Sequence, residues 1–163
     1  MFHQEHYDIN LEYVKINYYN PIYFKYFILR NVKPNRTYRA TSGQIALLRD
    51  LKNSLKINIR GYKIVDSIPK IPIMQFDVPL CEAFERNNFG LDKLRTLSSN
   101  ITKCPLKMGF YIFQNFNVLS QDLPPYIPQG HYMFNISLFE EKALLAHEVA
   151  YAITYASVIY KNV

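Results

Sequence analysis

Ser54-Leu-Lys-Ile-Asn-Ile-Arg-Gly-Tyr-Lys-Ile-Val65 is the stretch on which the fold class turns. Leu55, Ile57 and Ile59 alternate with Lys56, Asn58 and Arg60, which is the period-two pattern of a strand with one buried face. Gly61 breaks the pattern and marks a bulge or a turn.

The same character recurs on both sides. Leu11–Tyr18 and Tyr23–Val32 read as strands separated by Asn20–Pro21, and Lys33-Pro34-Asn35 is a turn. Thr37–Leu51 admits two readings. Ile45, Leu48 and Leu51 have helical spacing, whereas Tyr38 and Thr41 suit a strand, the reading preferred here. Met108–Leu119 returns to strand with Phe110, Ile112 and Phe116 on one face. In His131–Phe139, Tyr132, Phe134, Ile136 and Leu138 alternate with Met133, Asn135 and Ser137.

Pro79–Ser99 carries the helical signal. Proline is tolerated in a first turn, and Leu80, Phe84, Leu91, Leu94 and Leu97 form an imperfect stripe that Asn87–Asn88 and Gly90 break into two pieces. Asp122–Gly130 is a proline-stiffened loop. Ala143–Tyr160 stays open: its alanines allow a helix, while Leu145, Val149, Tyr151, Ile153 and Tyr155 allow a strand. Prolines 21, 34, 69, 72, 79 and 105 are taken as boundaries. The result is six or seven strands and one helical excursion. We read a mainly β, two-sheet antiparallel sandwich, a single domain over 11–163 behind a flexible stretch 1–10.

Composition supports an ordered domain. Of 163 residues, 49% are hydrophobic and 20% charged, with 14 Tyr, 11 Phe and no Trp. The net charge of +6 is spread singly over residues such as Lys25, Arg30, Arg39, Arg60 and Lys107, without the clustered footprint of a nucleic-acid binder. No apolar run is long enough to span a membrane. Met1–Asn10 holds two His, a Glu and an Asp and no apolar stretch of signal-peptide type.

Cys81 and Cys104 are the two cysteines. An oxidising compartment pairs them and a reducing one leaves two thiols; no accompanying spacing suits a metal. Asn35-Arg-Thr37, Asn100-Ile-Thr102 and Asn135-Ile-Ser137 match the N-glycosylation pattern. His3, His6, His131 and His147 are dispersed, and on a strand His147 faces away from Glu148. Glu140–Glu141 reads as a solvated turn. No nucleophile, zinc or phosphate-loop motif appears, so the chain is read as a binding protein, not an enzyme, without cofactor or metal.

The runs Phe76-Asp-Val-Pro-Leu-Cys81, Asn100-Ile-Thr-Lys-Cys-Pro105, Gly109-Phe-Tyr-Ile112 and Leu123-Pro-Pro-Tyr-Ile-Pro-Gln-Gly-His-Tyr132 together resemble an insect-expanded family of secreted proteins that includes the fly chemosensory CheB group. That family is similar to the ML lipid-recognition superfamily, which contains the ganglioside activator protein. The resemblance runs over about Ile71–Phe139 and more loosely from Leu11 onward. It implies an ML/immunoglobulin-like sandwich with an apolar pocket between the sheets, pairing of Cys81 with Cys104, a final strand over Ala143–Tyr160, and an extracellular carrier of a lipid, fatty acid or cuticular hydrocarbon.

On this reading the pocket is lined by Leu55, Ile57, Ile59, Phe110, Ile112, Phe116, Tyr132, Phe134 and Ile136, chosen by alternation. The same pattern fits an ordinary solid core. The competing expectation is a protein-interaction module, a co-receptor or activator meeting a membrane receptor or another protein, with no small ligand of its own.

Overall fold

The computed structural model describes residues 7–98, 100–124 and 127–156. Eight strands run β1 Tyr7–Tyr19, β2 Phe24–Val32, β3 Ala40–Leu47, β4 Lys56–Val65, β5 Ile68–Pro79, β6 Gly109–Phe116, β7 Gly130–Glu140 and β8 Ala143–Ala156. All pairs are antiparallel. They form a five-stranded sheet, ordered β1-β8-β7-β4-β5, and a three-stranded sheet, ordered β2-β3-β6. The fold is the expected mainly β two-sheet sandwich.

β1 starts at Tyr7, earlier than expected. Tyr7–Asn10, assigned to a flexible stretch, pair with Ile153–Ala156. The anchor is Tyr7, 3% exposed, whose hydroxyl donates to the Pro124 carbonyl at 2.9 Å. Residues 1–6 lie outside the described residues.

A second correction concerns β5. Pro69 and Pro72, taken as boundaries, lie inside a strand. β5 is the last strand of its sheet, so one row of its backbone groups has no partner strand and proline costs nothing there. Asp66 and Ser67, both at positive φ, turn β4 into β5 with the handedness tight hairpins require. At Gly61 the register shifts, as expected; an added Cβ would lie 2.9 Å from the Phe134 ring.

Thr37–Leu51 contributes β3, and Ala143–Tyr160 contributes β8 as far as Ala156, beyond which it lies outside the described residues. The helical stretch is broken where expected: α1 Leu80–Glu85, a 3-10 segment Asn88–Lys93, and α2 Leu94–Leu97, with Asn87, Phe89 and Gly90 at positive φ. Ser99 lies outside the described residues. The break is pinned by Lys93, which pairs with the buried Asp122 carboxylate, and Asp122 also accepts from the Leu119 N–H at 2.8 Å. Gly90 leaves room for this pair, since a Cβ there would meet the Asp122 carboxyl at 2.8 Å.

Apolar side chains between the sheets form two clusters. One gathers Tyr7, Val14, Ile57, Ile59, Tyr132, Phe134, Ala150 and Ala152; the other gathers Phe24, Leu47, Leu51, Leu55, Leu145 and Ala146. Cys81, on α1 just after β5, is bonded to Cys104, in the segment that leads into β6. The disulfide therefore staples the edge strand of one sheet to the edge strand of the other. Among the described residues no helix is long and apolar enough to cross a membrane.

Candidate functional site

The two sides of the sandwich are closed differently. On the β5/β6 side the helical excursion and the disulfide bridge the gap. On the other side the edge strands β1 and β2 face each other without strand pairing. There Asn31 reaches across the seam: its Oδ1 accepts from the Val14 N–H at 2.7 Å and its Nδ2 donates to the Val14 carbonyl at 3.0 Å. Arg39 donates to the Glu12 carbonyl at 3.2 Å. Beside these contacts runs a groove of about 500 Å³ whose walls include Val14, Ile16, Tyr19, Phe27 and Leu29.

Behind the groove lies the least expected residue of the interior. The register Ile16–Glu148–Ile136 runs across β1, β8 and β7. Glu148 shares its face with Ala146, Ala150 and Ala152, all buried, so its side chain points between the sheets. Among the described residues no hydrogen bond or ion pair reaches its carboxyl. Burial alone pushes its pKa from 4.5 up to about 7. Yet Glu148 and Ile136 both keep accessible surface, although each strand is flanked on both sides. The cross-strand neighbour of Glu148, Ile16, is a wall residue of the groove.

The residues expected to line a pocket separate into four sets. Ile57, Ile59, Tyr132 and Phe134 point inward and are buried in the first cluster, with Ile136 packed beside them. Leu55 precedes β4 and belongs to the second cluster, 1% exposed. Phe116 is partly buried against Phe113.

Phe110 and Ile112 are a correction: they are 46% and 36% exposed, on the outer face of the three-stranded sheet. Phe110 to Phe113 are consecutive apolar residues, so alternation could not choose the face. Gly43 chooses it. Phe113 pairs with Gly43 and lies over it, where an added Cβ would come within 2.4 Å of the ring. The bulge at Asn115, at positive φ, then returns Phe116 to the inside.

The outer face of the larger sheet carries polar clusters beside its aromatic side chains. The His147 Nε2 lies 3.2 Å from the Asn135 Oδ1, and its Nδ1 lies 3.3 Å from the Asn17 Nδ2, a pattern that fits the Nε2–H tautomer. Asp77 accepts from Asn58 and Gln75, which hold its carboxyl below the usual range. Asn135 is thus partly buried and engaged in the middle of a sheet, less open than its sequence position implied. Asn100 is exposed and donates to the Phe110 carbonyl. Asn35 is exposed, with the Thr37 hydroxyl donating to its Oδ1 at 2.6 Å.

Glu140, expected in a solvated turn, is 5% exposed. Lys52 sits 3.5 Å away. Glu141, at positive φ, does turn outward. His3 and His6 lie outside the described residues, as do Pro125 and Tyr126 of the proline-rich loop.

Glu148 was missed because the sequence reading followed the larger residues Leu145, Val149, Tyr151, Ile153 and Tyr155 and noted of Glu148 only that it faces away from His147. The signal that finds it is the row Ala146, Glu148, Ala150, Ala152, in which one carboxylate interrupts small apolar residues.

No curated protein matches the chain. The segment from Leu55 to Phe134 spans β4, β5, the helical excursion with its disulfide, β6 and the first part of β7, and these residues, 55–134, carry a domain that matches the family described as "Protein of unknown function (DUF1091)".

Proposed function

We propose that this chain is an extracellular carrier that holds an apolar molecule between its two sheets, admitted through the seam between β1 and β2. The observation that carries this reading is the free surface of Ile136 and Glu148 in the middle of the sandwich, one strand behind an apolar groove of about 500 Å³. Removing alkyl surface from water into that space supplies the driving force, roughly 25 cal/mol per Å². The disulfide suits an oxidising compartment. The likeness to the CheB group and the ML superfamily points the same way, toward lipids or cuticular hydrocarbons and a place in contact chemosensation. Asn35 is the sequon whose setting best suits a glycan.

The test is expression in a secretory host, followed by mass spectrometry of the native protein and of its organic extract. A lipid or hydrocarbon bound near one-to-one supports the reading. A protein that carries nothing and takes up no apolar fluorescent probe sinks it.

A second reading has its own observation. Tyr26, Ile28, Phe110 and Ile112 lie together on the outer face of the three-stranded sheet, Tyr26 and Phe110 meeting edge to face at 6.0 Å. Such a patch suits a protein partner, as a co-receptor or activator would need. Replacing Phe110 and Ile112 by Ser would abolish that function and leave ligand uptake intact.

A further inference from the structure

We propose that Glu148 is the polar anchor of the space between the sheets, and that it selects a neutral aliphatic molecule ending in a hydroxyl over one ending in a carboxylate. The inference rests on the carrier reading above and names the ligand class that this interior fits.

The argument begins with what surrounds the carboxyl. Its cross-strand neighbours are Ile16 and Ile136, and its neighbours along β8 on the same face are Ala146 and Ala150. The facing sheet presents Phe27, Leu29 and Asn31 from β2, Thr41 and Ile45 from β3, and Tyr111 and Phe113 from β6. None of these is charged, and the one ionisable group among them, the Tyr111 hydroxyl, donates to the Lys107 carbonyl at 2.6 Å. A carboxyl largely desolvated by such neighbours, to which none of the described residues gives a hydrogen bond, is costly unless something else supplies one.

The candidate head groups differ in what they do for it. A plain hydrocarbon fills the space and leaves the carboxyl as it was. A fatty acid brings a second carboxyl beside the first, and two such groups cannot both ionise in an apolar setting. An ammonium head forms an ion pair only by burying a second charge, and a buried pair scarcely recovers its desolvation. A hydroxyl donates to the carboxyl oxygen with no net charge added, and does so in either protonation state of Glu148. The alkyl body then lies against Ile16, Phe27, Leu29 and Ile136.

The test uses the full chain and displacement of N-phenyl-1-naphthylamine by dodecanol, dodecanoic acid, dodecylamine and dodecane at pH 8. In the wild type, dodecanol should displace the probe at a concentration about tenfold below that needed for dodecanoate, once each is scaled to its value in Glu148→Leu. Glu148→Gln should keep the preference for dodecanol over dodecane, because its amide still accepts a hydrogen bond, and should lose discrimination against dodecanoate. Thermal melts confirm that both variants fold; each removes a buried ionisable group and neither cuts into the packing.

A ratio unchanged by Glu148→Leu overturns the inference and leaves the carrier reading standing. Dodecylamine outcompeting dodecanol, with that advantage lost in Glu148→Gln, overturns it in favour of a cationic ligand. If neither wild type nor variants take up probe or dodecane, the carrier reading falls and this inference with it.

Discussion

Asn31 binds the backbone of Val14 through both ends of its amide, accepting from the N–H at 2.7 Å and donating to the carbonyl at 3.0 Å. The side chain does at one point what a neighbouring strand would do along its length: it satisfies an edge that β8 cannot reach. Asn31→Ala removes both bonds. Because Asn31 is exposed, water replaces part of what is lost, and the expected destabilisation is about 1 kcal/mol. The sharper readout is local. The Val14 amide should exchange its hydrogen markedly faster in the variant, while amides in β4 and β7 keep their protection. Equal changes across both sheets would show that Asn31 is not a local clasp.

Glu148 makes stability depend on pH in an unusual direction. Its pKa is about 7 in the folded chain against a reference of 4.5. The folded state therefore holds the proton more tightly than the unfolded state. The stabilisation is fully present below about pH 4.5 and is lost as pH rises through 7. Its size is on the order of 3 kcal/mol. Asp77 has the opposite sign, since its lowered pKa favours the charged form, and it acts below its reference of 3.8, outside this window. Urea denaturation at pH 5 and pH 8 should show the wild type weaker at pH 8, with the difference largely absent in Glu148→Gln. A wild type equally stable at both values would place the carboxyl in contact with bulk water.

What the sequence made legible follows the chemistry of each strand. β4 was plain because Leu55, Ile57 and Ile59 alternate with charged and amide side chains, so one face had to be buried. The break in the helical stretch was plain from Asn87–Asn88 and Gly90, residues that accept positive φ. β5 was hidden by Pro69 and Pro72, whose reading as breakers holds for a central strand and fails at an edge. In β6 the choice of face depended on Gly43, in another strand. In β8 the larger side chains, Val149 and Tyr151, face outward, where Tyr13 stacks on Tyr151 at 4.7 Å. The smaller ones face inward, the reverse of the usual expectation, and that inversion concealed Glu148.

The disulfide is expected to matter chiefly through the unfolded chain. Cys81 and Cys104 are 23 residues apart, and closing a loop of that length contributes about 3 kcal/mol on the chain-entropy model. Double replacement by Ser should lower stability by about that amount in urea denaturation. The loss should also be felt at the β5/β6 side, where α1 and the segment before β6 would no longer be tied, and not at the β1/β2 seam. Hydrogen exchange separates the two: faster exchange confined to α1 and β6 supports the staple, whereas equal loosening at Val14 argues that the bridge holds the whole sandwich.

Phe110 and Phe113 give the most direct test of how β6 sits. Phe113 is 8% exposed and covers Gly43, while Phe110 is 46% exposed on the opposite face. Removing a buried phenylalanine to Ala costs about 3–5 kcal/mol, so Phe113→Ala should come near that range. Phe110→Ala gives up an exposed ring and its edge-to-face contact with Tyr26, and should cost about 1 kcal/mol or less. Gly43→Ala adds a methyl where the Phe113 ring already lies and should cost about 1–3 kcal/mol; in the Phe113→Ala background most of that penalty should be lost, leaving only the Leu29 methyl at 3.1 Å to shift. The reverse ranking, with Phe110 the costlier loss, would put the strand one residue out of register and return Phe110 and Ile112 to the interior.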